Sequence, residues 1–417
     1  MTQQVFLAAA AACGHVAFWI WIVNVMHGGL GRSERSMNLV KLAALAGLVG
    51  IPAWVGCRWA GGGWGELELV SKLYVFGSAF NAVVVVPIAT AMLHARRDRD
   101  LVRGAVELDP RPHLGLPIHA TTRQVAERLR GQGGHSWMLL LPGNESLRLR
   151  LTPRNLELPG WPPALDGLSI LQISDLHFAR SYARDYFEHV FARAAEFESD
   201  LVVFTGDLLD DDVVEWVEPL FARLRGRLGQ FAILGNHDVE HHPEASQAAL
   251  GAAGFELLDG AWRLLETERG VLAIGGTAHP WGAPLDFSSA PPSDVRIVLS
   301  HTPDKFPRAS KAGVHLMLSG HNHGGQIRLP LIGPAFMPSV YSRRFDRGVF
   351  RSRRSTLYVS QGVGGKHPLR YGCPPEINRL VLRHAAQPAT PAAHAEQRLR
   401  GGPTKVAERE GISSRAT

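Results

Sequence analysis

Cysteine is nearly missing: the 417 residues contain three, Cys13, Cys57 and Cys373. Cys13 and Cys57 sit in or beside apolar runs and Cys373 stands far from both. A disulfide framework would therefore have to join a membrane cysteine to a soluble one, and a thiolate-ligated structural zinc site is excluded. Charge is missing locally. Residues 5–26 and 73–93 contain no Lys, Arg, Asp or Glu. Basic–aromatic platforms are missing as well. The formal charge of +6 comes from arginines spread through linker and tail, which argues against a nucleic-acid partner. No obligate protein partner is evident.

The two charge-free runs are each long enough to cross a bilayer at 1.5 Å per residue. Between them residues 42–57 are apolar but shorter, with Lys41 and Arg58 at the ends, from which both side chains can snorkel. The expectation is an all-α membrane anchor over 1–95 with three transmembrane helices at about 5–26, 38–57 and 73–94. A cleaved signal peptide is the competing reading of the first run, but it lacks a basic leader and two more apolar segments follow. His15 and Asn81, inside the spans, are expected to pack or to hydrogen-bond between helices. Arg96, Arg97, Arg99 and Arg103 follow the third span. The positive-inside rule then places the amino terminus outside and the remainder in the cytoplasm, as for a protein of a bacterial inner membrane. Residues 96–146 read as a basic juxtamembrane linker suited to anionic lipid headgroups. Within it, 122–130 suits a short basic helix, and 137–141 a strand or membrane-surface segment.

Five motifs then fall in order: Asp175-Leu176-His177, Gly206-Asp207, Gly235-Asn236-His237-Asp238, Ser300-His301 and Gly320-His321-Asn322-His323. Each follows a short apolar run, the mark of a buried strand. The polar residues are thus expected on loops at strand carboxyl ends, where open α/β sheets bind ligands. The motifs offer more oxygen and nitrogen ligands than one metal needs. Two divalent ions about 3.5–4 Å apart would neutralise phosphoryl oxygens and lower the pKa of water. Imidazole, carboxylate and amide oxygen suit Mn above all, with Fe, Zn or Co as alternatives. Glycines directly before ligands permit tight turns.

This ordered set resembles the calcineurin-like metallophosphoesterase superfamily over about 147–384, and Gly324-Gly325-Gln326-Ile327 is similar to its bacterial membrane-associated branch. The resemblance implies a two-sheet α/β/β/α sandwich behind the membrane anchor. It also implies ligands: Asp175, His177, Asp207 and His323 for the first metal, with Asp207 bridging to Asn236, His301 and His321 for the second. His237 would protonate the leaving group, with Asp238 orienting its ring. Histidine suits that role because its pKa lies near working pH.

Residues 148–158 alternate as an edge strand. Stretches 184–198 and 213–228 suit covering helices, while 262–266, 271–274, 356–360 and 377–383 suit strands. The tail 385–417 is poor in large apolar residues and reads as disordered. Arg343 and Arg370 are candidate phosphate contacts, against the alternative of solvated arginines, and residues 362–370 resemble a loop that closes over the site. Some members of the family cleave the pyrophosphate of UDP-2,3-diacylglucosamine, so the implied substrate is a phosphorylated lipid or nucleotide–lipid at the membrane. The alternatives are a broad phosphodiesterase or phosphomonoesterase, or a non-catalytic membrane scaffold that binds phosphorylated ligands.

Overall fold

The computed structural model describes residues 2–30, 34–62, 68–88, 106–330, 333–334 and 336–385. Arg96–Arg103, the end of the third expected span and the tail beyond 385 lie outside the described residues. Helix α1 covers Thr2–Leu30, α2 Glu34–Gly62 and α3 Leu69–Phe80, which continues as the π-helical turn Asn81–Val85. Three stretches, Gln3–Met26, Leu42–Gly61 and Leu69–Ile88, are long and apolar enough to cross a membrane. Asn81 donates from Nδ2 to the Gly14 carbonyl at 2.8 Å, an interhelical bond of the expected kind. Gly14 makes the approach possible: a Cβ there would lie 1.7 Å from the Ser78 oxygen. His15 is buried and meets the Tyr74 ring edge-on at 5.4 Å.

The chain then builds β1 (Val106–Glu107), β2 (Arg150–Leu158), β3 (Ser169–Ile173), β4 (Ser199–Thr205), β5 (Gly226–Ile233) and β6 (Glu256–Leu257). It continues through β7 (Trp262–Thr267), β8 (Gly270–Thr277), β9 (Val295–Ser300) and β10 (Leu316–Ser319). A short hairpin, β11 (Arg328–Leu329) and β12 (Gly333–Pro334), precedes β13 (Gly348–Ser352) and β14 (Ser355–Val359), and β15 (Glu376–His384) returns to the first sheet. The orders are β1-β2-β15-β3-β4-β5-β6 and β13-β14-β10-β9-β8-β7.

Side-chain alternation explains the layering. Ile170, Leu201, Val203 and Ile233 of the first sheet meet Ile274, Ile297, Leu299 and Leu318 of the second. Their neighbours Leu171, Val202 and Phe204 point the other way, onto Tyr186, Phe187, Val190 and Phe191 of helix Arg184–Ala195. Val298, Met317 and Val359 cover Phe306 and Ala309 of helix Phe306–Lys311. Strands buried on both faces must be apolar at successive positions, and each such residue contributes about 1.5–3 kcal/mol. The result is the expected α/β/β/α sandwich.

Four sequence expectations need correction. Residues 106–146 are not a linker apart from the domain: Leu108, Leu129 and Leu139 enter the same core as Leu171. The helix Thr122–Leu129 forms, but residues 136–140 make a short 3-10 helix rather than a strand. Single buried leucines in a polar background leave no periodicity to read. The stretch 213–228 is not one helix: one short helix, Val217–Phe221, ends there and Gly226 opens β5. Gly226 lies against backbone, since a Cβ would sit 2.3 Å from the Gly229 oxygen. Finally β2 is not the outermost strand, because two-residue β1 pairs outside it and β15 runs parallel on its other side.

Candidate metal centre

All five motifs sit where five parallel strands end, after β3, β4, β5, β9 and β10. Five of the seven expected ligands adopt positive φ: Asp175 (51°), His177 (44°), Asp207 (59°), His321 (67°) and His323 (46°). L-residues with side chains avoid this region, and such strain collects at functional sites. Gly206 also needs it, with φ 93°. Gly235 and Gly320 serve differently: a Cβ on Gly235 would lie 2.1 Å from Asp207 Oδ1, and one on Gly320 2.3 Å from Asp175 Oδ2. They give room rather than a turn.

A polar ladder holds the floor. Gln172 Nε2 on β3 donates to Thr205 Oγ1 and to the Ser319 carbonyl, each at 3.2 Å, joining the two sheets. Thr205 donates to Ser174 Oγ at 2.6 Å, and Ser174 to Asp175 Oδ2 at 2.5 Å. Asp175 Oδ1 accepts from the His321 backbone N–H at 2.8 Å, which ties the first motif to the last.

The donor chemistry then tests whether cations fit. His301 Nδ1 donates to the Thr205 carbonyl at 2.8 Å and His321 Nε2 to the Pro338 carbonyl at 2.9 Å. In the neutral imidazoles the other ring nitrogens carry lone pairs, and these face each other at 3.1 Å. Asn236 Oδ1 and Asp207 Oδ1 lie 3.1 and 3.3 Å from His301 Nε2. On the other side His177 Nδ1 contacts Asp210 Oδ2 at 3.0 Å, leaving Nε2 3.0 Å from His323 Nε2 and 3.4 Å from Asp207 Oδ2. Asp175 Oδ1 is 3.6 Å from His323 Nε2. Asp207 thus turns one oxygen to each group. Acceptor atoms gathered this way, nearly all buried, repel one another without a cation between them, and the sets Asp175–His177–Asp207–His323 and Asp207–His301–His321 each fit one.

The electrostatics follow. Burial would lower the His301 imidazolium, but Asp207 foremost outweighs it and pushes the pKa up to about 9. Burial would raise Asp207, yet His301, His237 and His177 hold it well below the carboxylate range. His237, on helix Asn236–His241, points its Nδ1 at Asp210 Oδ1, 2.5 Å away. Burial disfavours its charge, but Asp207 and Asp210 raise it to about 9.

Two expectations change here. Asp238 does not orient His237: its carboxylate accepts from the backbone N–H groups of Leu208, Leu209 and Gly235 at 2.9, 3.2 and 2.9 Å. Alternation explains it, because successive residues in the first turn of a helix point different ways. The acid on the ring is Asp210, missed in the sequence although it lies three residues beyond Asp207 on one loop. Arg370 is no solvated arginine and no open phosphate contact. It is 1% exposed, and its guanidinium donates to the carbonyls of Gln361, Cys373 and Gly364, with Nη2 3.2 Å from His323 Nδ1. Arg343 stands on the one-turn helix Ser342–Phe345, partly buried. The stretch 362–370 does lie over the site, since a Cβ on Gly362 would meet Asp175 at 2.7 Å. Trp281 adds a wall: its ring lies 4.9 Å from that of His321 and 5.9 Å from that of His301. Cys373 is buried, its thiol 3.2 Å from the His323 carbonyl.

The profile of the family described as calcineurin-like phosphoesterase matches residues 168–325. The uncharacterized metallophosphoesterase YkuE of Bacillus subtilis is 29% identical over 273 residues, 62% of this chain and 93% of its own. The phosphodiesterase YaeI of Escherichia coli is 30% identical over 220 residues, 51% of this chain and 81% of its own. The UDP-2,3-diacylglucosamine pyrophosphatase LpxG of Chlamydia muridarum is 27% identical over 301 residues, 58% of this chain and 90% of its own.

Proposed function

The chain belongs to the calcineurin-like metallophosphoesterase family and is a phosphoester hydrolase, and from that premise we propose that it uses two divalent metals to cleave a phosphorylated lipid or nucleotide–lipid at the membrane. The observation that carries this is the division of Asp207, one oxygen toward His177 and the other toward His301. Asp175, His177, Asp207 and His323 would hold one ion, and Asp207, Asn236, His301 and His321 the other, with Mn²⁺ the first choice and Fe, Zn or Co alternatives. Bound ions supply charge neutralisation for the phosphoryl oxygens and water of lowered pKa.

The remaining chemistry belongs to side chains. His237, the ring that Asp210 orients, hands its proton to the leaving oxygen. Asp238 fixes the backbone from which His237 and Asp207 project. Arg370 orients His323 from behind, and Arg343 is a candidate contact for a second phosphate. The three apolar helices and the name of the LpxG relative support a lipid-linked pyrophosphate as substrate. The YaeI relative supports phosphodiester cleavage as the second reading. The reading places the catalytic domain in the cytoplasm, where nucleotide–lipids are made.

Elemental analysis of protein purified with Mn²⁺ is expected to approach two metals per chain, falling toward one in Asn236→Ala and His301→Ala. Hydrolysis of bis-nitrophenyl phosphate should require the added metal. One tightly held ion, unchanged in either variant, would overturn the two-metal reading. A screen of the detergent-solubilised protein against nucleotide–lipids and phospholipids distinguishes the substrate classes.

A further inference from the structure

We propose that residues 336–341 form a lipid-access lip beside the metal centre, clamped between helix α1 and His321, and that Asn24 is the residue that positions it. This rests on the membrane-lipid reading above. The clamp is continuous. Asn24, near the end of α1 and 3% exposed, accepts at Oδ1 from the Met337 backbone N–H at 2.9 Å. The next residue, Pro338, gives its carbonyl to His321 Nε2 at 2.9 Å and so fixes the tautomer that leaves Nδ1 bare. Beyond it, Asp304 accepts from Ser339 Oγ at 2.5 Å and from Val340 N at 2.9 Å. Asp304 lies three residues after the ligand His301. A membrane helix, the lip and two metal-ligating loops thus share one backbone path.

The side chains of the lip do the opposite of its backbone. Met337 is 1% exposed, whereas Phe336 is 58%, Val340 38% and Tyr341 37% exposed. Beyond residue 100, nine large hydrophobic residues are exposed among the described ones, and five of them (Ile327, Leu329, Phe336, Val340, Tyr341) lie within 327–341. A tethered backbone that presents contiguous apolar side chains marks a contact surface. Its height identifies the occupant. The span Gln3–Met26 ends two residues after Asn24, so the hydrogen bond to Met337 holds the lip at the level where the apolar span ends. Apolar side chains at that depth sit at the headgroup–acyl boundary and can reach the acyl chains. The lip would take the acyl chains of a lipid still seated in the bilayer while its phosphate reaches the metals.

Two measurements on the full chain in vesicles of phosphatidylethanolamine and phosphatidylglycerol test this. A photoreactive benzophenone residue replacing Phe336 should form lipid adducts on illumination, several-fold more than the same residue replacing Leu264, which is exposed on β7. Protein–protein adducts instead, or equal lipid labelling at both positions, would overturn the lip. This arm needs neither metal nor turnover, so a failure of the hydrolase reading leaves it decisive. For Asn24, the readout is Mn²⁺ retained against a chelator. Asn24→Ala should hold the second ion about tenfold more weakly, and Asn24→Asp, which keeps an acceptor for the Met337 N–H, should restore it. Retention equal to the native protein in Asn24→Ala, or no rescue by Asn24→Asp, would overturn the positioning role. A native protein that binds no Mn²⁺ fails the proposed function instead.

Discussion

At the scale of single residues the pair His237–Asp210 has two jobs, because Asp210 holds His237 with one oxygen and His177 with the other. Removing the acid and removing its partner should therefore look different. His237→Ala is expected to keep both metals and lose about 10²–10⁴-fold in rate on a substrate with a poor leaving group. The loss should shrink for nitrophenolate, which departs without a proton. Asp210→Asn should show the same dependence on leaving group and, in addition, hold metal about 10–100-fold more weakly, because His177 loses its orienting carboxylate. Equal losses on both leaving groups would remove His237 from the acid role. Asp238 is a third case. Asp238→Ala leaves three backbone N–H groups without their acceptor, at about 1–3 kcal/mol for each that stays buried and unmet. A thermal melt of that variant should therefore fall well below that of His237→Ala.

At the scale of elements, helix Arg184–Ala195 pins the segment around β1 through one buried imidazole. His189 Nε2 meets the Leu108 carbonyl at 3.3 Å, and burial, foremost, lowers its pKa to about 4. The sign is definite. Between the unfolded value near 6.5 and the folded value of about 4, the unfolded chain takes up a proton that the fold refuses. Stability thus falls as pH drops through that window and levels off below it. His189→Gln keeps a donor and removes the titration, so its melting temperature should drop less than that of the native protein between pH 7 and 4.5. Parallel losses would show that His189 is not the group involved.

The same scale shows what the sequence could reveal. Strands β3, β4, β5, β9 and β10 were legible because burial on both faces forces continuous apolar runs that stop at a ligand. Asp210 was hidden because its partner His237 is 27 residues away in sequence and only folding brings them together. The segment 106–146 was hidden because its contribution to the core is a few separate leucines. Asp238 was misread because a motif lists neighbours in sequence, whereas a helical turn sends them in different directions.

At the scale of the whole molecule, the parity of the spans decides whether the site shares a side of the membrane with the end of α1. A chain that crosses three times delivers the end of α1 and the segment after α3 to the same side. The bond between Asn24 and Met337 requires this, since a residue near the end of α1 touches the catalytic domain that follows α3. Two or four crossings would separate the two. The contact fixes parity but not direction, which depends on charge: Arg32 and Arg35 follow the first span, and Arg96, Arg97, Arg99 and Arg103 follow the third. Both basic groups fall on the side shared with the site, and the cytoplasmic placement proposed above follows from applying the positive-inside rule to them. A phosphatase reporter, active only when exported, should therefore be silent when fused after residue 104. It should also be silent after residue 31, and active after residue 65 in the loop between α2 and α3. Activity at 104 together with 31 would invert the protein and take its site away from cytoplasmic nucleotide–lipids. Activity at 104 but not at 31 would break the three-span topology, and with it the contact between Asn24 and Met337.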